Sequence, residues 1–251
     1  MIHYFAGSRS SALIKNHLIV WTDKGAVAKR EEVYTKDSNI LVDSGAFSAY
    51  TQGKTVDIDE YIEWIKNYKL KWEKKVNQLN FINLDVIGSP QDSQKNLNYL
   101  IKNNVNVLPV LHQAGFNVDT LKSYLAKHDY IAFGGMVGRK RKQDTIPWLN
   151  KCFHQIGKHY KKTKKLPRIH LLGVGSEDMM YRYPACSVDN TNWLAVYRFG
   201  RSNFIHELKA PRESQDRDLV EKIVEYDIKR FQEIELNVTN YWTKKGVSFN
   251  E

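Results

Sequence analysis

Short apolar strands alternate with amphipathic helices along most of the chain. The connections between them are short, and about eight such units fit in 251 residues. These three observations predict an α/β protein of the (β/α)8 TIM-barrel class, with residues 1–251 forming a single domain. Strands covered by helices on a parallel sheet read as unbroken apolar runs, and that is the pattern here. A doubly wound open sheet is the competing architecture. It normally carries a GxGxxG turn after its first strand, and Ala6-Gly7-Ser8-Arg9-Ser10 does not supply one.

Residues 2–6 (IHYFA) predict the first strand, closed by Gly7, and residues 10–16 a short helix. Residues 39–42 (NILV) predict the second strand. A helix follows over 57–70, where Ile58, Tyr61, Ile62, Ile65 and Tyr68 recur at three- and four-residue spacing. The third strand is 80–84 (NFINL). Ser89-Pro90 then opens a helix to about residue 103, with proline well placed in the first turn. The fourth strand is 106–111 (NVLPVL), followed by a helix over 118–128. The fifth is 130–133 (YIAF), followed by a long helix over 145–161. The sixth is 169–172. Ser176, Glu177 and Asp178 mark the start of a helix over 177–182, with a hydroxyl cap and acids in the first turn. The seventh strand is 185–188, the eighth is expected at 194–199 or 203–208, and the last strong helix spans 216–235.

The chain is 42% hydrophobic and 26% charged, which suits a soluble globular protein with one large core. No apolar run approaches the ~20 residues of a membrane span. The start, MIHYFAGSRS, lacks the charged first region and long apolar core of a signal peptide, so a cytoplasmic protein is expected. Cys152 and Cys186 form no CxxC pair and read as two reduced core thiols. Net charge is +10, with a pI near 9.4. Such an excess favours polyanionic partners. It concentrates in Arg139, Lys140, Arg141 and Lys142, and again in Lys158, Lys161, Lys162, Lys164, Lys165 and Arg168. Taken singly, each run reads as a solvated face. Together, with Trp148 and Tyr160 nearby, they make nucleic acid the leading partner class.

In a (β/α)8 barrel the active face collects the residues that follow each strand. Here those are Asp43, Ser44 and Gly45; Asp85; His112 and Gln113; Gly134, Gly135 and Met136; Gly173 to Gly175; and Asp189. A lone Asp after a strand is more often a turn former than a catalyst. Three in register, each directly after an apolar strand, are harder to explain as turns. Packed together they raise one another's pKa, a cost that points to function. Three Asp and one His would also suit a divalent ion. The other use is chemistry at an anomeric carbon, which needs one carboxylate on the sugar carbon and one acid/base group near the leaving group. A third carboxylate can recognise the amino and imino edge of a purine, and the glycines would let a flat base approach the backbone.

The set DSGAF (43–47), LDV (84–86), FGGM (133–136), HLLGVG (170–175) and SVDN (187–190) resembles the tRNA-guanine transglycosylase superfamily. It is closest to the phage and bacterial relatives that put 7-deazaguanines into DNA. The resemblance covers about residues 40 to 193, and HLLGVG followed by an Asp is its most specific element. DSGAF departs from the family's DSGGF. The resemblance implies Asp189 as the nucleophile at C1′ and Asp43 as the general acid/base. Asp85 would read the amino edge of the base. Gly134, Gly135 and Met136 would supply backbone groups and a hydrophobic wall, and His112 or Gln113 would stand at the family's base-reading position. Ser44, Gly45, Phe47, Gly173 and Gly175 complete the expected substrate site. Phe47, Tyr50 and Trp193 are stacking candidates, Trp193 being equally a core residue. Arg139 to Lys142 would hold phosphates.

The family's tRNA enzymes also carry a Cys-rich zinc site with a His near the C-terminus. Residues 237–251 hold neither residue type. The resemblance therefore implies DNA, with a flipped guanine, and a free 7-deazaguanine base as partners. It implies no cofactor, no metal, no membrane and no zinc-stabilised dimer. So small a DNA-modifying chain suggests a phage origin, with the host cytoplasm as its site of action. The alternatives are a tRNA (queuine-type) transglycosylase, a non-catalytic nucleic-acid-binding barrel, and a metal-dependent hydrolase.

Overall fold

The computed structural model describes residues 1–136, 142–210 and 216–249. Eight parallel strands form one curled sheet in the order β4-β3-β2-β1-β8-β7-β6-β5. They are β1 (Ile2–Phe5), β2 (Asn16–Val20), β3 (Asn39–Asp43), β4 (Gln78–Phe81), β5 (Val110–His112), β6 (Tyr130–Gly134), β7 (Arg168–Leu171) and β8 (Ser187–Asn190). The two edges meet at a parallel bridge between Ile82 and Leu108. There the Leu108 N–H donates to the Phe81 carbonyl (2.7 Å) and the Asn83 N–H to the Leu108 carbonyl (2.9 Å). The result is a TIM-barrel-like α/β fold, as expected. Pro109, with no N–H to give, shortens β5 to three residues.

The helices are α1 (Lys24–Glu31), α2 (Ala46–Thr51), α3 (Ile58–Trp72), α4 (Pro90–Lys102), α5 (Val118–Lys127), α6 (Lys142–Thr163), α7 (Glu177–Arg182), α8 (Ala195–Phe199) and α9 (Arg217–Lys244). Their starts follow from side-chain chemistry. Asp57 caps α3 by accepting from the N–H groups of Asp59 (2.8 Å) and Glu60 (3.0 Å). Ser89 caps α4 and Pro90 occupies its first turn. Ser176 stands at the start of α7, but its hydroxyl makes no capping bond. The buried face of α3 is Tyr61, Ile62, Ile65 and Tyr68, four of the five residues that its periodicity selects.

Side chains alternate across each strand. Tyr4, Leu18, Leu41, Ile82, Val110 and Ala132 fill the barrel interior, while Phe5, Ile19, Ile40, Val42, Leu111, Phe133 and Val188 pack outward under the helices. Both cysteines are buried and free, as expected of core thiols.

Three expectations fail. Residues 10–16 are not a helix: the chain makes a turn and enters β2 at Asn16. The eighth strand is therefore β2, early in the chain, and neither 194–199 nor 203–208 is a strand. Residues Asn192–Leu194 form a single 3-10 turn and Ala195–Phe199 form α8. The last helix also runs well past residue 235, to Lys244. These differences share a cause. No helix joins β1 to β2, and α9 packs on the outside of the sheet there. Phe231 of α9 meets His3 (4.6 Å between ring centres), Phe5 (6.2 Å) and Phe204 (4.7 Å). Glu235 accepts from the His3 N–H (3.1 Å) and from Asn16 Nδ2 (3.2 Å). Gln232 Nε2 donates to the Leu13 carbonyl (2.7 Å).

Phe231 is 1% exposed. Truncating it to Ala opens a cavity where α9 replaces the missing helix, at an expected cost of about 3–5 kcal/mol. Denaturant unfolding of Phe231→Ala at constant m-value measures this. A loss below about 1 kcal/mol would show that α9 is an appendage, not part of the barrel core.

Candidate active site

The C-terminal ends of the strands bring Asp43, Asp85, His112, Gly134 and Asp189 to one mouth. Asp43 is the last residue of β3, and His112 and Gly134 close β5 and β6. Asp189 differs from expectation. It lies inside β8, paired in register with Tyr4 of β1, not after the strand. Its backbone is fixed on the β1 side, where the Ala6 N–H donates to the Asn190 carbonyl (3.0 Å).

Each carboxylate has its own surroundings. Asp43 Oδ1 accepts the Gly45 N–H at 2.6 Å. Gly45 adopts φ +73, a left-handed turn that a side chain would strain. Burial pushes the Asp43 carboxyl up to about 6; the Gly45 bond pulls it down, and the charges of Asp189 and Asp85 push it further up. Asp85 is held by His112 Nε2 (2.8 Å) and Asn83 Nδ2 (3.0 Å). Burial raises its pKa, and those bonds oppose the rise. Asp189 is 8% exposed. Its Oδ1 accepts the Gly173 N–H (2.8 Å) and lies 3.2 Å from His170 Nε2. No described residue bonds to its Oδ2.

Two of the glycines stand where a side chain would collide with neighbours. A Cβ on Gly134 would stand 3.2 Å from the His112 ring, and one on Gly175 only 2.5 Å from Asn192 and 2.8 Å from Asn190. The room they leave is filled by the chain's own side chains, so these two glycines shape the wall of the site. Gly135 and Gly173 have φ of +82 and +70, which turn the chain out of β6 and β7. Gln113 is turned aside to accept from Thr145 Oγ1 (3.1 Å), while His112 faces Asp85. Met136 is half-buried against the core. Ser44 is buried, and its carbonyl accepts from Trp21 Nε1 (2.8 Å).

Phe47 and Tyr50 on α2 are 56% and 61% exposed and free to stack on a ligand. A cavity of about 190 Å³ lies between α2 and the exit of β4, lined by Tyr50, Lys54, Leu84 and Asp85. Trp193 is a core residue: it is fully buried, and its Nε1 donates to the Ala6 carbonyl (2.7 Å). Arg139, Lys140 and Arg141, and the side chain of Lys142, lie outside the described residues. Lys158, Lys161 and Lys162 sit toward the end of α6, which leads to the start of β7. They therefore belong to the face opposite the mouth.

Sequence reasoning passed over His170, Asn83, Ser187 and Asn190 as site residues. His170 and Ser187 are fully buried inside strands. A polar residue at an interior-facing strand position was the available signal. Among the described residues no three His, Cys, Asp or Glu side chains are grouped to hold a metal ion. No helix among them is long and apolar enough to cross a membrane.

The fold and the site thus define a TIM-barrel-like α/β protein with a mouth lined by carboxylates. The chain matches no family model, no curated protein and no solved structure.

A carboxyl whose native pKa is about 6, against 3.8 ordinarily, binds its proton more tightly in the folded state. Ionising it costs stability progressively as pH rises from about 4 to 6, and the whole cost applies above 6. Asp43→Asn keeps the acceptor for Gly45 and removes the charge. Its expected effect is a gain of ~1–3 kcal/mol at pH 7.5, seen as a Tm raised by several degrees, and no gain at pH 4. Melting curves across this range measure it; equal shifts at both pH values would contradict the assigned burial cost.

Proposed function

We propose that the protein is a DNA-modifying transglycosylase that exchanges guanine in DNA for a 7-deazaguanine base. The observation that carries this reading is the convergence of Asp43, Asp85 and Asp189 on one barrel mouth in three different settings. Asp189 keeps one oxygen clear of donors among the described residues, as a nucleophile requires. Asp43, with a pKa of about 6, can give and take a proton near neutral pH. Asp85 supplies acceptor oxygens for the amino and imino groups of a purine.

In the first half-reaction Asp189 Oδ2 bonds to C1′ of the sugar as the C1′–N9 bond breaks. The bonding pair leaves on N9, and the proton of Asp43 neutralises the departing guanine. In the second, the incoming 7-deazaguanine gives its N9 proton to Asp43 as N9 bonds to C1′. The C1′–Oδ2 pair returns to Asp189. Both carboxyl groups end as they began, so the cycle consumes no oxidant, reductant or nucleotide cofactor. Splitting one substitution into two displacements is the usual gain from a covalent intermediate.

DNA is favoured over tRNA because the resemblance is closest to relatives that act on DNA. The net charge of +10 suits a polyanion. Arg9, in the loop that leaves β1 at the mouth, lies with its guanidinium 3.7 Å from the centre of the Tyr197 ring and adds a positive charge on that side. The target base has to leave the duplex, at a cost of a few kcal/mol, and Phe47 and Tyr50 are available to stack against it or the gap.

Labelled guanine incubated with duplex DNA and, separately, with tRNA tests this directly. The wild type is expected to label DNA. Asp189→Asn should lose at least about a thousandfold in exchange while binding DNA with little change. Exchange surviving in Asp189→Asn would sink the mechanism, and label entering tRNA alone would assign the substrate to tRNA.

A further inference from the structure

Behind Asp189 a chain of hydrogen bonds runs down through the barrel interior. His170 is fully buried, with Nε2 3.2 Å from Asp189 Oδ1 and Nδ1 2.7 Å from Ser187 Oγ. Ser187 Oγ is in turn 2.6 Å from the Tyr130 hydroxyl. Burial holds Tyr130 in its protonated form, well above its ordinary range, so its hydroxyl has a hydrogen to give. A relay running in one direction satisfies these contacts. Tyr130 O–H donates to Ser187, and Ser187 O–H donates to a bare Nδ1 of His170. The Nε2–H of His170 then donates to the carboxylate, which has no hydrogen of its own.

The opposite tautomer would leave a bare Nε2 facing a carboxylate oxygen, lone pair against lone pair. The Gly173 N–H reaches the same Oδ1 at 2.8 Å. Oδ1 is therefore held by two donors fixed in buried backbone and ring, while Oδ2 has none among the described residues. The two oxygens of one carboxylate are made unequal by their surroundings.

We propose that His170 is a positioning residue, locked as the Nε2–H tautomer by Ser187 and Tyr130, that selects Asp189 Oδ2 as the attacking oxygen. This rests on the transglycosylase reading. With the sugar bonded to Oδ2, Oδ1 is the ester carbonyl oxygen and keeps both donors. When the C1′–Oδ2 bond breaks in the second half-reaction, the returning charge spreads onto Oδ1, where the His170 and Gly173 N–H groups already point. Preorganised donors aimed at developing charge act without reorganisation at that step. The effect belongs in turnover more than in substrate binding.

The test compares His170→Phe, which has no donor, with His170→Gln, whose side-chain amide can restore one, in the labelled-guanine exchange assay. The kcat of His170→Phe is expected to fall about a hundredfold with KM within about threefold, the size of losing one such donor. His170→Gln should recover most of that loss. Nitrogen-15 spectra of histidine-labelled wild-type protein, with His170→Gln identifying the resonances, should show a protonated Nε2 and a bare Nδ1. Ser187→Ala should mix the tautomers and lower kcat. Equal losses in the Phe and Gln variants, an Nδ1–H tautomer, or a change confined to KM would each overturn the inference. If the Phe variant does not fold, the wild-type spectrum and Ser187→Ala still decide it. An active wild type with unaffected His170 variants would remove this inference alone. A wild type that exchanges no guanine would remove the proposed function, and the inference with it.

Discussion

The site depends on the parity of the strands in a closed parallel ring. Each strand turns alternate side chains inward, and neighbouring strands fix one another's register. Leu41, Val110 and Ala132 lie inside the barrel. The residues two further along are Asp43, His112 and Gly134, so these also face inward, at the mouth. The same step on β8 leads from Ser187, in the buried interior, to Asp189. The step back on β7 sets His170 beside Ser187. A slip of one residue in β8 would turn Asp189 into the helix layer and bring Val188, now under the helices, into the lumen. The pairing of Tyr4 with Asp189 and of Leu171 with Val188 excludes that slip. The apolar packing that stabilises the ring thus also aims the polar groups.

Gathering carboxylates at a buried mouth is unfavourable, and the way each is compensated separates their chemistry. Asp189 has a backbone N–H and a ring nitrogen on one oxygen, and Asp85 a ring nitrogen and an amide. Asp43 has a single backbone donor and feels both neighbouring charges, and burial pushes its carboxyl up to about 6. Titratable groups whose environments differ in this way are the usual basis for dividing acid/base work from nucleophilic work. The difference comes from second partners, Gly45, His112, Asn83, His170 and Gly173, as much as from the carboxylates themselves.

Much of this was legible in the sequence, for reasons that can be stated. Helix α3 is marked by three- and four-residue apolar spacing, α4 by Ser89-Pro90 at its start, and α7 by Ser176 with acids in its first turn, all local effects. Strands β1, β3 and β6 were unbroken apolar runs. β2 was missed because Asn16 and His17 open it with polar groups that tertiary partners satisfy: Asn16 bonds to Glu235, and His17 Nδ1 lies 3.2 Å from Arg30. No local rule contains a partner more than 200 residues away. Asp43, Asp85 and His112 were legible as site residues because acids and a histidine following apolar runs stand out. His170 was not, because a polar residue inside an apolar run looks like a tolerated exception until Asp189 and Ser187 are known to flank it. The glycines were legible as special positions but not as to purpose: whether a gap receives a ligand or a neighbouring side chain is decided by packing.

The missing helix between β1 and β2 connects the distant C-terminal segment to the site. β1 lacks the outer cover that a following helix would give, and α9 supplies it from the other end of the chain. The contact is specific at His3. Its ring packs on Phe231 of α9 at 4.6 Å, and its Nε2 lies 2.6 Å from Asn190 Nδ2, next to Asp189. Burial holds His3 far below its ordinary range, at about 3, so the ring is neutral and its bare Nε2 accepts from the Asn190 amide. Asn190 Oδ1 then accepts the Asn192 N–H at 2.8 Å, which sets the turn out of β8. Gly175 has no side chain to obstruct that turn. A contiguous path of packed and hydrogen-bonded groups therefore runs from α9 through His3 and Asn190 to the backbone that carries Asp189. On the inner side of the same strand, His170 and Gly173 hold the carboxylate itself. Asp189 is fixed from both faces of β8, and neither support lies close to it in sequence except Asn190.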